Sequence, residues 1–381
     1  GIRRLSPARP APARPRPGRT RHLPSRPQAA AGPPLFVARR HTRMPARPPI
    51  TDLLSWRIAF TLVIAGLGGW LFSRLGLPLP WMMGAMCLTM LSAMAGLPLR
   101  RTRPLRPPFA AVIGVTLGSA FQPMLLGQVM DWGLVMMATA LATVLCGVAG
   151  YQYLRRVARF DPVTAYFAGM PSGIQEMTLQ GGLAGGDERQ IALIHSTRIF
   201  LLVMAVPFLY AATYGVRSAG SPLLQHSFAE LGLQDWFWLV LAAAVGWPLG
   251  RRVGLPNAAM LGPLLVSAVL HATGIARAAP PSALIILSQV VLGASLGSGF
   301  LGTSWRLVRH AFLHGLVLVP ILCAICLAVA VTVAPFAGLA WSVVFLPLAP
   351  GGAAEMSLIA LALHAEVALV TTSQLVRILM I

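Results

Sequence analysis

The sequence predicts an all-α integral membrane protein of about ten transmembrane helices, in two inverted repeats with broken or re-entrant segments. Three observations carry that prediction. Of the residues, 56% are hydrophobic and only 10% charged, with a mean hydropathy of +0.72; a soluble fold of this size could not cover so much apolar surface. Blocks of sequence recur at a nearly constant offset. In both halves, acids and an arginine sit inside apolar sequence beside Gly and Pro.

The recurrence is specific. Gly76-Leu77-Pro78 with Met82 and Gly84 matches Gly254-Leu255-Pro256 with Met260 and Gly262 at an offset of 178. Gly114, Leu117, Gly118 and Phe121 match Gly293, Leu296, Gly297 and Phe300 at 179, and Pro171, Gly173, Glu176 and Met177 match Pro350, Gly352, Glu355 and Met356 at the same step. A retained offset through three blocks marks an internal duplication. Repeat 1 spans 54–215, a polar linker 216–235, and repeat 2 236–381, which stops inside an apolar pattern and is expected to continue in a longer chain.

Residues 1–50 stand apart as a disordered leader. They hold twelve of the thirty basic residues, twelve prolines and no acid, and a chain without an apolar period builds no core. The first methionine is Met44, so this stretch is expected to be non-native or a targeting segment. Without it the balance is eighteen Arg against ten acids, or +8 in place of +20. That removes the charge argument for a nucleic-acid partner.

The apolar segments follow in order: 56–73, 80–96, 109–127, 133–153, 163–182 and 189–213, then 236–250, 257–275, 283–301, 311–334, 340–362 and 367 onward. A bilayer core of roughly 30 Å needs about 20 helical residues, so most could span it. Arginines test how many do. With six crossings per half and a cytoplasmic start, Arg251, Arg252, Arg306 and Arg309 fall outside, against the positive-inside rule. If one segment per half enters and returns, those four move inside and Arg277 moves out. Five crossings per half, with inverted halves, obey the rule better.

The segment that returns is expected to be the one carrying the acids. Pro171 and Gly173 break the chain before Glu176, Gly181 and Gly182 with Gly185 and Gly186 break it again before Asp187, and Pro350, Gly351 and Gly352 break it before Glu355. Such breaks at membrane depth are tolerated where freed backbone faces protein or a wet cavity, and matched breaks in two halves point to the site of a secondary transporter.

Glu176, Asp187 and Arg198 stand eleven residues apart, and Glu355, Glu366 and Arg377 repeat them. These six are the candidate substrate- or ion-binding residues, since an ionisable group at mid-bilayer costs roughly 2.5 to 3.5 kcal/mol. Eleven helical residues rise roughly 16 Å, so Asp187 and Arg198 cannot touch along one helix. Arg198 needs another partner, with Glu176 or Glu355 as the candidates. As an alternative, the set is an ion-paired strut. Gly-Gly-Asp with Gln190 three residues on also fits an N-cap and its box partner at Asp187. His364, two residues before Glu366, could move protons near neutral pH. His310 and His314 are spaced to ligate a metal from one helix face, but Arg306 and Arg309 favour a helix end instead; Cys323 and Cys326 form a lone CxxC that reads as packing. No metal site, cofactor or catalytic set is expected.

The stretches Leu77–Gly84, Gly169-Met170-Pro171-Ser172-Gly173-Ile174-Gln175-Glu176-Met177 and Ala349-Pro350-Gly351-Gly352-Ala353-Ala354-Glu355-Met356 resemble the AbrB membrane-protein family, from about Leu54 to Ile381. That family also carries an ammonia monooxygenase label and is similar to the cation:proton antiporter superfamily, which implies inverted repeats and broken helices; its members are commonly named as regulators of gene expression. Gln374 stands opposite His195, which argues against a symmetric histidine role.

Three function classes compete. The leading expectation is a secondary transporter of a small solute or ion in a bacterial inner membrane, with the lipid bilayer as partner, no specific nucleic acid and room for a homo-oligomer. A membrane-embedded regulator acting indirectly is the alternative, since no helix-turn-helix, zinc finger or sizeable soluble domain is present. An ammonia-oxidising enzyme fares worst, because the eight histidines are scattered and two fall in the leader.

Overall fold

The computed structural model describes residues 55–77, 79–121, 123, 132–214, 227–363 and 366–380. Every regular element among them is helical. The first half contributes α1 (Trp56–Arg74), α2 (Pro80–Met94), α3 (Arg106–Gly118), α4 (Gly133–Arg156), α5 (Pro162–Gly169), α6 (Ile174–Leu183) and α7 (Glu188–Tyr214). The second half contributes α8 (Leu233–Val253), α9 (Ala258–Ala272), α10 (Ser282–Gly297), α11 (Trp305–Ala337), α12 (Trp341–Leu348), α13 (Ala353–Ala362) and α14 (Val367–Met380). Helices α5, α6 and α7 begin 179 residues before α12, α13 and α14, so the duplication read from the sequence is a duplication of elements.

Five helical stretches are long and apolar enough to cross a membrane: α1, α4, Glu188–Tyr210 of α7, Ser282–Phe300 and α11. Helices α8 and α9, bent by 119° at their break, make a sixth if the pair is one span. The other apolar helices are shorter. At 15 residues, α2 rises only about 22 Å, less than the roughly 30 Å of a hydrocarbon core. The expected segments 163–182 and 340–362 each come apart into two half-helices, α5 with α6 and α12 with α13.

Glycines lock the repeats together reciprocally. Helix α3 packs on α9, and α10 on α2. A Cβ on Gly114 would lie 2.2 Å from the Met260 carbonyl oxygen, and one on Gly293 2.5 Å from that of Met82. One turn on, Gly118 meets the Leu264 carbonyl and Gly297 that of Met86. Each contact is its partner's copy with the repeats exchanged, the mark of a pseudo-two-fold axis. Backbones this close admit no side chain, which explains the small residues at these positions. Ahead of α2 and α9 the chain turns through Leu79 (φ 46°) and Asn257 (φ 48°), again equivalent positions, both in the left-handed region.

Candidate functional site

The site is built on the two interrupted helices. Asp161 opens α5 as its N-cap, accepting from the Thr164 backbone N–H at 2.9 Å. Burial pushes its carboxyl up, but hydrogen bonds with Thr164 and Val163 outweigh this and hold it below the ordinary carboxylate value. Helix α5 ends at Gly169, and extended backbone through Met170 (ψ 133°) and Gly173 (ψ 132°) leads into α6. Proline drives the stop, because Pro171 disfavours a helical residue before it. Ala349 (ψ 131°), Pro350 and Gly352 (ψ 148°) repeat the arrangement between α12 and α13.

A helix that stops inside apolar surroundings leaves its last carbonyls without partners. Here α7 and α14 supply them. Arg198 donates to Met170 O at 3.0 Å and to Ser172 O at 3.5 Å, while His195 Nε2 bonds Phe167 O at 2.9 Å. Arg377 donates to Ala349 O at 2.8 Å, Leu348 O at 2.9 Å and Pro347 O at 3.1 Å, and Gln374 Nε2 also donates to Pro347 O. Each arginine is braced by the side chain one turn before it, Arg198 by His195 Nδ1 at 2.9 Å and Arg377 by Gln374 Oε1 at 3.0 Å. Both guanidinium groups are fully buried. A cation at the carbonyl end also suits the half-helix dipole.

This corrects the expectation that Arg198 pairs with Glu176 or Glu355. Among the described residues neither Arg198 nor Arg377 forms an ion pair; their terminal nitrogens bond carbonyls and the side chains of His195 and Gln374, and Nε of each has no partner. Gln374 is likewise the working counterpart of His195. A carbonyl cap requires one N–H donor, which an amide supplies as well as an imidazole.

Glu176 and Glu355 occupy the third positions of α6 and α13, near the positive ends of the half-helices. Both carboxylates fold back over the preceding glycine: a Cβ would lie 2.2 Å from Glu176 Oε2 at Gly173 and 2.1 Å from Glu355 Oε2 at Gly352. Both glutamates line a single central cavity of about 240 Å³, together with Arg106, Asn257 and Arg377. The two acids are not equivalent. Arg106 Nη2 lies 4.0 Å from Glu355 Oε1, whereas Glu176 has no ion pair among the described residues. At the repeat position of Arg106 stands Ile285.

The remaining candidates lie elsewhere. Asp187 caps α7, its carboxylate accepting from the backbone N–H of Arg189 and Gln190 and from Gln190 Nε2 at 2.9 Å. Glu366 is exposed just before α14. Neither lines the cavity. Gly181 and Gly182 do not break the chain but belong to α6. The helix ends where Gly185 (φ 91°) turns left-handed and Gly186 N–H reaches back to Gly181 O at 2.8 Å. The absent side chains at Gly181 and Gly182 instead admit Ile191 and Glu188. His364 lies outside the described residues.

Two features escaped the sequence reading. Arg106 opens α3 just after Arg100, Arg101 and Arg103, and only its lack of a counterpart in the repeat could have singled it out. The cysteine contact is not within Cys323-x-x-Cys326 but between Cys146 and Cys326, whose sulfurs lie 3.6 Å apart on α4 and α11. Cys326 also donates to Leu348 O, a carbonyl that Arg377 shares.

A family model described as transition state regulatory protein AbrB matches residues 81–381. A Bacillus subtilis (strain 168) protein named YhjN is 25% identical over 342 residues, covering 84% of this chain and 89% of the relative. An Escherichia coli (strain K12) protein that carries the name of a regulator, AbrB, is 23% identical over 310 residues, covering 81% and 88%.

Proposed function

The chain belongs to the AbrB family, and on that premise we propose that it is a secondary transporter moving a small solute or ion across a bacterial inner membrane. One observation carries the proposal: acids from two repeats, each beside a helix break, line the same cavity. Unpaired backbone at mid-bilayer is compatible with stability only where it faces protein or a wet cavity. In transporters, half-helix ends of this kind supply the polar groups that hold substrate and coupling ion.

In this reading α5–α6 and α12–α13 are the segments that do not cross straight, and the halves together make about ten crossings in inverted orientation. Glu176, the acid without an ion pair among the described residues, carries the proton or cation. Glu355 answers to Arg106. Arg198 and Arg377 do not bind substrate through their capped donors but keep the two breaks open. The repeats then rock about the shared cavity, exposing it to one side and then the other. No covalent chemistry is involved, and the protein is not an enzyme.

The test has two stages. A solute screen by thermal shift on detergent-purified protein finds a stabilising ligand, and flux of that ligand is measured in proteoliposomes. Glu176→Gln and Glu355→Gln should each abolish coupled flux while leaving the protein folded. Normal flux in both variants would end the proposal.

The name of the Escherichia coli relative favours a second reading, in which an effect on gene expression follows indirectly from the membrane activity. Deleting residues 1–43 tests this second reading. Loss of a regulatory phenotype with transport intact would assign regulation to the leader, and loss of neither would leave regulation downstream of transport.

A further inference from the structure

The geometry points to a small carboxylate-bearing anion as the substrate, with Arg106 as its anchor. This rests on the reading of the central cavity as a substrate site, though not on any movement of the repeats.

Arg106 is a guanidinium with capacity to spare. Its contact with Glu355, at 4.0 Å, is beyond hydrogen-bond length, and its side chain keeps 18% exposure. Among the described residues it makes no hydrogen bond, which leaves five N–H donors in a fork that matches a carboxylate in two-pronged fashion. Arg377 lines the same cavity and is 2% exposed; its Nε, like that of Arg198, is buried with no hydrogen-bond partner among the described residues.

The charge balance leaves the choice to Arg106. Two arginines and two glutamates among the lining residues cancel, and the positive ends of α6 and α13 are opposed by the carbonyl ends of α5 and α12 at the same breaks. Arg106, whose donors no carbonyl takes among the described residues, is the group left to attract a ligand, and it attracts an anion. Outside the cavity, Arg103 and Arg106 line an adjoining cleft together with Asn257. Burial first, and then the charges of Arg101 and Arg106, push the Arg103 guanidinium below its ordinary value. Anions are thus drawn toward the one arginine shared by cleft and cavity. At about 240 Å³, the cavity falls below the roughly 300 Å³ at which drug-sized pockets begin, which limits the substrate to a small molecule.

A carboxylate seated on Arg106 comes close to the Glu355 carboxylate, and the like charges repel. The two ligand classes therefore make opposite predictions for the same variant. If the cavity binds a cation, removing the Glu355 charge weakens binding. If it binds an anion at Arg106, removing that charge strengthens it.

Acetate, succinate, ammonium and sodium are titrated as probes against purified full-length protein, with thermal stabilisation read as affinity. Acetate or succinate should stabilise the protein, Arg106→Gln should weaken that binding about tenfold or more, and Glu355→Gln should tighten it. The Glu355→Gln arm needs no Arg106 variant to fold. Stabilisation by neither carboxylate, or by ammonium or sodium with a loss in Glu355→Gln, would overturn the inference, as would an unchanged affinity in folded Arg106→Gln. Carboxylate binding without flux would sink the transport reading and leave the anion site standing. Cation flux indifferent to Arg106 would do the reverse.

Discussion

Arg106 lies 4.0 Å from Glu355 across the central cavity, while the equivalent acid of the first repeat, Glu176, faces no such partner among the described residues. A duplicated framework therefore holds an unduplicated charge, and the two acids need not do the same work.

The contact itself should be weak. At 4.0 Å and with part of the Arg106 side chain exposed, its coupling in a double-mutant cycle of Arg106→Gln and Glu355→Gln should not exceed about 1 kcal/mol of stability. Thermal unfolding of the four proteins in detergent measures it, and a coupling of several kcal/mol would mean that the pair is a structural strut.

Arg377 should behave in the opposite way. Arg377→Leu strips donors from the carbonyls of Pro347, Leu348 and Ala349 at a buried helix end. The expected cost is about 3 kcal/mol or more, seen as a lower unfolding temperature and lower yield. Unchanged stability would show that the break is held by something else.

The pairing of His195 with Gln374 predicts an exchange rule. His195→Gln should cost less than about 1 kcal/mol, since the second repeat uses an amide in that place. His195→Leu, which can donate nothing to Phe167 O, should cost about 1 to 3 kcal/mol. Equal losses in both variants on thermal unfolding would contradict the capping role.

The cross-repeat lock can be probed at its glycines. Gly114→Ala or Gly293→Ala places a methyl within 2.5 Å of a carbonyl oxygen on the facing helix. Each should destabilise by about 1 to 3 kcal/mol. Gly66→Ala, with nothing within 4 Å of its added carbon, should be tolerated. Thermal stability and monodispersity on size exclusion report the difference.

Much of this architecture is legible in the chain because duplication and helix breaks leave local marks. Pro171 and Pro350 name the interruptions, and the constant offset aligns the halves. What stays hidden depends on approach in space. Nothing near Arg198 in sequence says that its donors will find a carbonyl 28 residues earlier. Gly181 and Gly182 look like a breaker, yet close packing and chain reversal both call for glycine, and only the fold tells which need applies. Arg106 is concealed among neighbouring arginines that satisfy the positive-inside rule equally well.

The central claim is that both helix breaks open onto one cavity reached alternately from the two sides of the membrane. Ser172→Cys, at the first break, in a protein whose four native cysteines are replaced, tests it in proteoliposomes with a membrane-impermeant thiol reagent applied from each side. The account predicts labelling from both sides, with bound solute shifting the ratio between them. Labelling from one side only, under every condition, would contradict it.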